Sequence, residues 1–154
     1  MDIRIKMNNN SNFLYFAKKC DEAAVPTKKF ETDAGWDLYY CGKDIIIPPF
    51  TLAILETGIR IVLPQETFGL IKPKSKSNYL IGGGVIDNGY TGELLVKVFN
   101  ISEWSIAIGN GIAIAQLIIL KMPYYLPRLT DEEYIDENFN TDRGNSGGIV
   151  KQIK

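Results

Sequence analysis

Leu94-Leu95-Val96-Lys97-Val98-Phe99-Asn100 alternates as a half-buried strand does, and Ile106 to Ile108 and Ile112 to Leu120 follow it, split by Gly109-Asn110-Gly111. An extended chain points successive side chains to opposite faces, so these runs predict strands with one face in a core. Working outward toward the N-terminus, the same texture recurs. Thr67 to Ile71 is a run, and Ile59 to Leu63 alternates before breaking at Pro64. Ile45-Ile46-Ile47 is stopped by Pro48-Pro49, and Phe13 to Ala17 is apolar and aromatic. Proline cannot donate to a strand ladder, which explains the stops. Short strands at this spacing predict an all-β barrel or jelly roll. Helical periodicity is weak. The one short candidate is Thr130 to Tyr134, where Thr130 can cap a turn with Glu133 three residues on, and a solvated acidic loop is the competing reading. The expected organisation is a β domain over residues 1–135 and a mobile polar arm over 136–154.

The bulk numbers bound the function. A chain of 154 residues, 45% hydrophobic and 23% charged, is long enough for one soluble domain with a real core. A net charge of −1 gives no global attraction to nucleic acid or membrane, so any phosphate binding must come from a local site. No apolar run reaches the roughly 18 residues of a membrane span. Two cysteines, Cys20 and Cys41, with no CxxC spacing and no leader pattern, lead to the expectation of a cytoplasmic protein. There is no histidine, which excludes Ser-His-Asp and Cys-His mechanisms and histidine zinc sites.

Five segments then stand out for their chemistry. In Ala34-Gly35-Trp36-Asp37-Leu38, glycine lets the chain approach a ligand and a carboxylate beside it can organise the water shell of a metal ion, magnesium above all. A turn aspartate is the alternative. Pro73-Lys74-Ser75-Lys76-Ser77 offers cations and hydroxyls suited to phosphate, or else a solvated loop. The segment Gly84-Val85-Ile86-Asp87-Asn88-Gly89-Tyr90-Thr91-Gly92-Glu93 is the strongest signal. The glycines at 82 to 84 let main-chain groups meet a base edge in a tight hairpin, and the Val-Ile pair delivers Asp87 into a partly enclosed site. A hairpin whose Gly89 and Gly92 merely serve the turn is the alternative. Ile114-Ala115-Gln116-Leu117 places an amide in an apolar run, near a phosphate or simply in a core strand. Finally, Asp142-Arg143-Gly144-Asn145-Ser146-Gly147-Gly148 sets an arginine among glycines, a composition made for clamping a terminal phosphate.

Taken together and in this order, the five segments resemble the motifs of the trimeric dUTP diphosphatase family, over Pro26 to Gly148. The resemblance implies a distorted jelly-roll or β-barrel, a homotrimer with sites shared among chains, and magnesium-dependent hydrolysis of dUTP to dUMP and pyrophosphate. It implies Asp87 as the base that orients and deprotonates water, and Asp37 acting on Mg2+ through water. Substrate would be held by Lys74, Ser75, Lys76, Gly82, Gly83, Gly84, Ile86, Tyr90, Gln116, Arg143, Gly144 and Ser146, with Tyr90 packed on the deoxyribose. The second and fourth motifs would come from one chain, the third from a neighbour and the arm from the third.

Four departures are visible. Lys74 stands where the family has arginine, and lysine lacks the planar two-pronged donor. Gly89 stands for aspartate, and Ala113 for a basic residue. The arm's base-stacking phenylalanine has no counterpart, since Gly148 and Ile149 occupy that stretch. A dCTP deaminase of the same fold would need a glutamate where Lys97 stands. A non-catalytic nucleotide sensor is the other alternative, motivated by the divergent fifth motif.

Overall fold

The structure, a computed structural model, describes residues 12–139. They fall into two units, divided between Pro123 and Tyr124. The first unit is built entirely of strands: β1 (Tyr15–Lys18), β2 (Gly35–Tyr39), β3 (Ile45–Ile47), β4 (Leu52–Val62), β5 (Thr67–Lys72), β6 (Leu80–Ile81), β7 (Gly84–Ile86), β8 (Glu93–Phe99), β9 (Ile106–Ile108) and β10 (Ala113–Lys121). They form a four-stranded sheet in the order β1-β4-β8-β6, a second in the order β2-β10-β5-β7, and the pair β3-β9. Every pairing is antiparallel. The all-β expectation holds.

The alternating run at 94–100 does what its period dictates. Leu94, Val96 and Val98 are fully buried, while Leu95 and Lys97 are exposed. Their inward side chains meet Leu55, Ile59 and Ile61 from β4 and Leu38, Ile71, Ile114 and Leu117 from the second sheet in one core cluster. Each such aliphatic contributes about 1.5–3 kcal/mol by leaving water. Two polar side chains are buried with them, and both are satisfied. Thr57 donates to Leu94 O at 2.8 Å, and the Asn100 amide reaches Ile47 O, Pro48 O and Trp104 O.

One strand is longer than its sequence suggests. The alternating run starts at Ile59, yet β4 starts at Leu52 and runs through Gly58. The β4–β8 register shifts between Glu56 and Arg60, which marks a bulge. Gly58 sits there at φ +65, and a Cβ would lie 2.7 Å from that of Ala23. The position needs glycine for both reasons.

In the second unit, α1 (Glu132–Asn138) is a short helix. Its cap is Asp131, whose carboxylate accepts from Tyr134 N, so the cap falls one residue beyond the expected Thr130. Glu132 and Glu133 in the first turn suit the helix dipole. The helix spans position 136, the expected start of the arm. The arm from residue 140 onward, with Arg143, Gly144 and Ser146, lies outside the described residues.

Candidate functional site

Three strands bring the first, second and fourth segments together. β2 and β5 pair on either side of β10, so Asp37, Gln116 and Lys72 lie in one row. The chain leaves β5 through Pro73 into a turn closed by Ser77 N–H donating to Lys74 O at 3.0 Å. The Lys74 ammonium folds back to form an ion pair with Asp37 Oδ1. Gln116 Nε2 donates to Pro73 O at 2.9 Å and pins the same turn. Asp37, Lys74, Ser75 and Gln116 line one cleft of about 310 Å³. Its wall also includes Lys29, Phe30 and Asp33, so two cations and two carboxylates face one small volume.

Gly35 also has a use within the fold. A Cβ there would stand 2.5 Å from Gln116 Oε1, so the missing side chain makes room for the Gln116 amide. Gln116 is half-buried between the fully buried Ala115 and Leu117, which point to the core while it faces the cleft. Lys76 lines a neighbouring cleft of about 400 Å³ with Tyr79 and Ile106, and Lys74 borders both. Burial raises the Tyr79 phenol above its ordinary range, against a hydrogen bond from Ser77 and the charge of Lys74.

The third segment sits elsewhere. β6 pairs with β8, and Gly82 N–H extends that ladder to Lys97 O at 3.0 Å. The chain then crosses through Gly83 to β7, which pairs with β5 in the other sheet. The expected tight hairpin is therefore an opened one, whose arms part at Gly82 to Gly84. The reason is side-chain burial: Ile86 enters the core between the sheets, so β7 follows β5 instead of β8. The Ile86 side chain is thus core, and its main chain lies in the ladder with Gly69. Gly84 lies against Ile71 with room for a Cβ at 3.4 Å.

Beyond β7, Asp87 is exposed. Its carbonyl accepts from Tyr90 N at 3.0 Å, closing a turn. Asn88 holds that turn in place by donating from Nδ2 to Pro64 O at 2.7 Å and Thr67 O at 2.9 Å. The Tyr90 hydroxyl donates to Glu93 O at 2.6 Å and leaves its ring partly exposed. A Cβ on Gly92 would strike that phenol, whereas one on Gly89 would meet nothing within 4 Å. Gly92 serves Tyr90, and Gly89 serves no such contact.

These placements separate the chemistry. Ile86 pairs with Gly69, so Asp87 emerges at the Phe68 level of β5, while the cleft begins past Lys72 at the other end. The four residue steps from Phe68 to Lys72 span about 13 Å of strand, before the turn adds more. Within one chain the candidate base and the cleft do not meet.

Sequence reasoning missed Lys29, Phe30 and Asp33, which lie in a polar stretch with no motif of its own. It also passed over Asn88, whose role depends on a β4–β5 turn that no local pattern announces.

The dUTPase family model matches residues 21–148. The deoxyuridine 5'-triphosphate nucleotidohydrolase of fowlpox virus is 37% identical over 134 residues, covering 84% of this chain and 90% of its own. Among solved structures, a Staphylococcus bacteriophage 80alpha dUTPase mutant with dUpNHpp superposes with a TM-score of 0.75 at 24% identity, covering 88% of this chain and 96% of its own. A point mutant of the dUTPase from phage phi11 of S. aureus, described with a structural Mg(II) ion, gives a TM-score of 0.69 at 23% identity over 81% of this chain and 99% of its own. Both likenesses are of fold.

Proposed function

This chain belongs to the dUTPase family, and on that premise we propose that it hydrolyses dUTP to dUMP and pyrophosphate in sites shared among three copies. The separation of Asp87 from the cleft carries this reading. An isolated chain holds phosphate-binding chemistry at one end of β5 and a water-activating carboxylate at the other. A neighbour's Asp87 completes the site. Leu52, Ile54, Leu80 and Leu95 are exposed on the first sheet, an apolar surface of the kind that a second copy covers.

In this reading, Lys74, Ser75 and Gln116 hold the phosphates, with Lys76 alongside. Arg143, Gly144 and Ser146, on an arm over residues 136–154, come from another copy and close over them. Main-chain groups at Gly82, Gly83, Gly84 and Ile86 meet the base edge where the hairpin opens. The Tyr90 ring, fixed by its hydroxyl, forms a wall under the deoxyribose and leaves no space for a 2′-hydroxyl. Asp87 accepts the proton of a water that attacks the α-phosphorus in line, and pyrophosphate leaves.

The residues fit a magnesium ion held mainly by substrate. Among the described residues no group of three or more metal-capable side chains exists, so a closed protein cage is not available. Magnesium commonly takes one or two carboxylates plus phosphate oxygens and waters. Asp37 would act on it through water, and the ion would neutralise charge on the phosphates. Lys74 would then exchange Asp37 for phosphate. A cytoplasmic place and independence from nucleic acid complete the proposal.

The test is pyrophosphate release by the pure protein with magnesium. Release from dUTP, with little from dCTP, dTTP or UTP, is the expected result. Asp87→Asn should lower turnover about 10²–10⁴-fold while keeping affinity for a non-hydrolysable analogue. Near-full activity in that variant would remove Asp87 from its role.

A further inference from the structure

Cys20 and Cys41 come from separate stretches of chain, yet their Sγ atoms lie 3.3 Å apart. Both are free thiols, Cys20 exposed and Cys41 half-buried. Two sets of main-chain bonds fix the stretches that carry them. Lys19 N–H donates to Gly58 O at 2.8 Å, and Cys41 N–H donates to Glu56 O at 2.8 Å. Both cysteines are therefore held against the same β4 bulge. Gly58 leaves the room they share: a Cβ there would lie 3.1 Å from the Cys41 sulfur and 3.3 Å from the Cys20 sulfur. The Cys20 stretch is further tied by the ion pair of Lys19 with Glu93, whose other oxygen takes Gly58 N–H at 2.9 Å.

We propose that this pair is an oxidation site, a latent disulfide between Cys20 and Cys41 that small-molecule disulfides such as oxidised glutathione close. A disulfide requires the sulfurs to approach to about 2.04 Å, little more than an ångström nearer than they stand. Cys20, being exposed, has room to rotate about its side-chain bonds toward Cys41. The exposed thiol is the point of attack. Its thiolate displaces one small thiolate and forms a mixed disulfide. Cys41, deprotonated in turn, attacks the Cys20 sulfur and expels the second. The protein loses two electrons and two protons, and the small disulfide becomes two thiols. In the reduced pair, the hydrogen bond to Cys20 and burial push the Cys41 thiol up to about 11, which leaves Cys20 as the first nucleophile. No other sulfhydryl competes, because the chain has two cysteines.

The bond would close the loop from 20 to 41, which contains β2 and Asp37. Asp37 is anchored separately, by its own main-chain bond to Thr27 and by Lys74. The crosslink therefore tightens the loop's unfolded state and leaves the cleft as it is.

The experiment incubates the intact purified protein, at one fixed protein concentration, with oxidised glutathione and measures intact mass, denatured thiol titre and Tm. Expected is one intramolecular disulfide per chain, seen as loss of two hydrogens with no glutathione adduct and no free thiol. By the loop-closure estimate the Tm rises about 5–15 °C, and dithiothreitol reverses both changes. Cys41→Ser should stop at a glutathione adduct on Cys20, with no rise in Tm. Two outcomes overturn the proposal. One is a wild type that keeps both thiols or carries only an adduct. The other is a crosslink between chains in place of one within them.

Discussion

At the scale of single residues, the glycines separate into those with a contact to serve and those without. Gly89 has open space and no left-handed φ, so Gly89→Asp should change stability by less than about 0.5 kcal/mol, measured by urea unfolding, and should keep turnover. Gly35 is the opposite case. Gly35→Ala drives a methyl against the Gln116 amide, whose flexible end gives way and loses Pro73. The expected cost is about 1 kcal/mol, with a raised KM for dUTP because the Lys74 turn is no longer pinned. Asn88 carries the sharpest residue-level expectation. Asn88→Ala removes one donor from Pro64 O, which keeps the Thr67 hydroxyl, and one from Thr67 O, a loss of about 1–3 kcal/mol. Turnover should fall more than substrate affinity does, since the side chain touches the Asp87 turn and not the cleft. Steady-state kcat and KM decide it. Asp37, Asp87 and Gln116 stand out in the sequence because each sits in a dense local motif, and the fold brings Asp37 and Gln116 to one cleft. Asn88 does not stand out, because its partners lie 24 and 21 residues away. Arg143, Gly144 and Ser146, equally legible as residues, fall outside the described chain.

At the scale of elements, period and proline stops located most of the strands. β8 and β10 were read nearly at their bounds. The failures share a cause. β2, β6 and β7 are short and lack an alternating pattern, and tertiary pairing makes them strands. β4 begins at Leu52, well before the alternating run at Ile59, and the bulge at Gly58 interrupts the pattern between them. Gly58→Ala tests that assignment. The left-handed φ costs about 1–2 kcal/mol, and the methyl would also press on Ala23. A loss above about 2 kcal/mol in the denaturation midpoint analysis is expected, whereas a loss near zero would mean the strand can straighten.

At the scale of the whole molecule, the division of chemistry between the two ends of β5 makes an assembly prediction. Asp87→Asn and Gln116→Ala should each be nearly inactive alone, for different reasons. Unfolded together and refolded as mixed trimers, they should recover activity. Random assembly gives about a quarter of sites an intact cleft beside an intact neighbouring carboxylate. Recovery to that level supports sharing, and no recovery would place both residues in one chain's site. The opened hairpin has a consequence of another kind. In the reading proposed above, the base is recognised where β7 turns away from β8 by peptide groups, which every amino acid except proline presents alike. Point mutation can alter the walls around such a reader but cannot delete its alphabet. Inhibitors that copy the base edge would therefore meet a target with few routes to resistance, and those routes would run through the glycines that let the strands part.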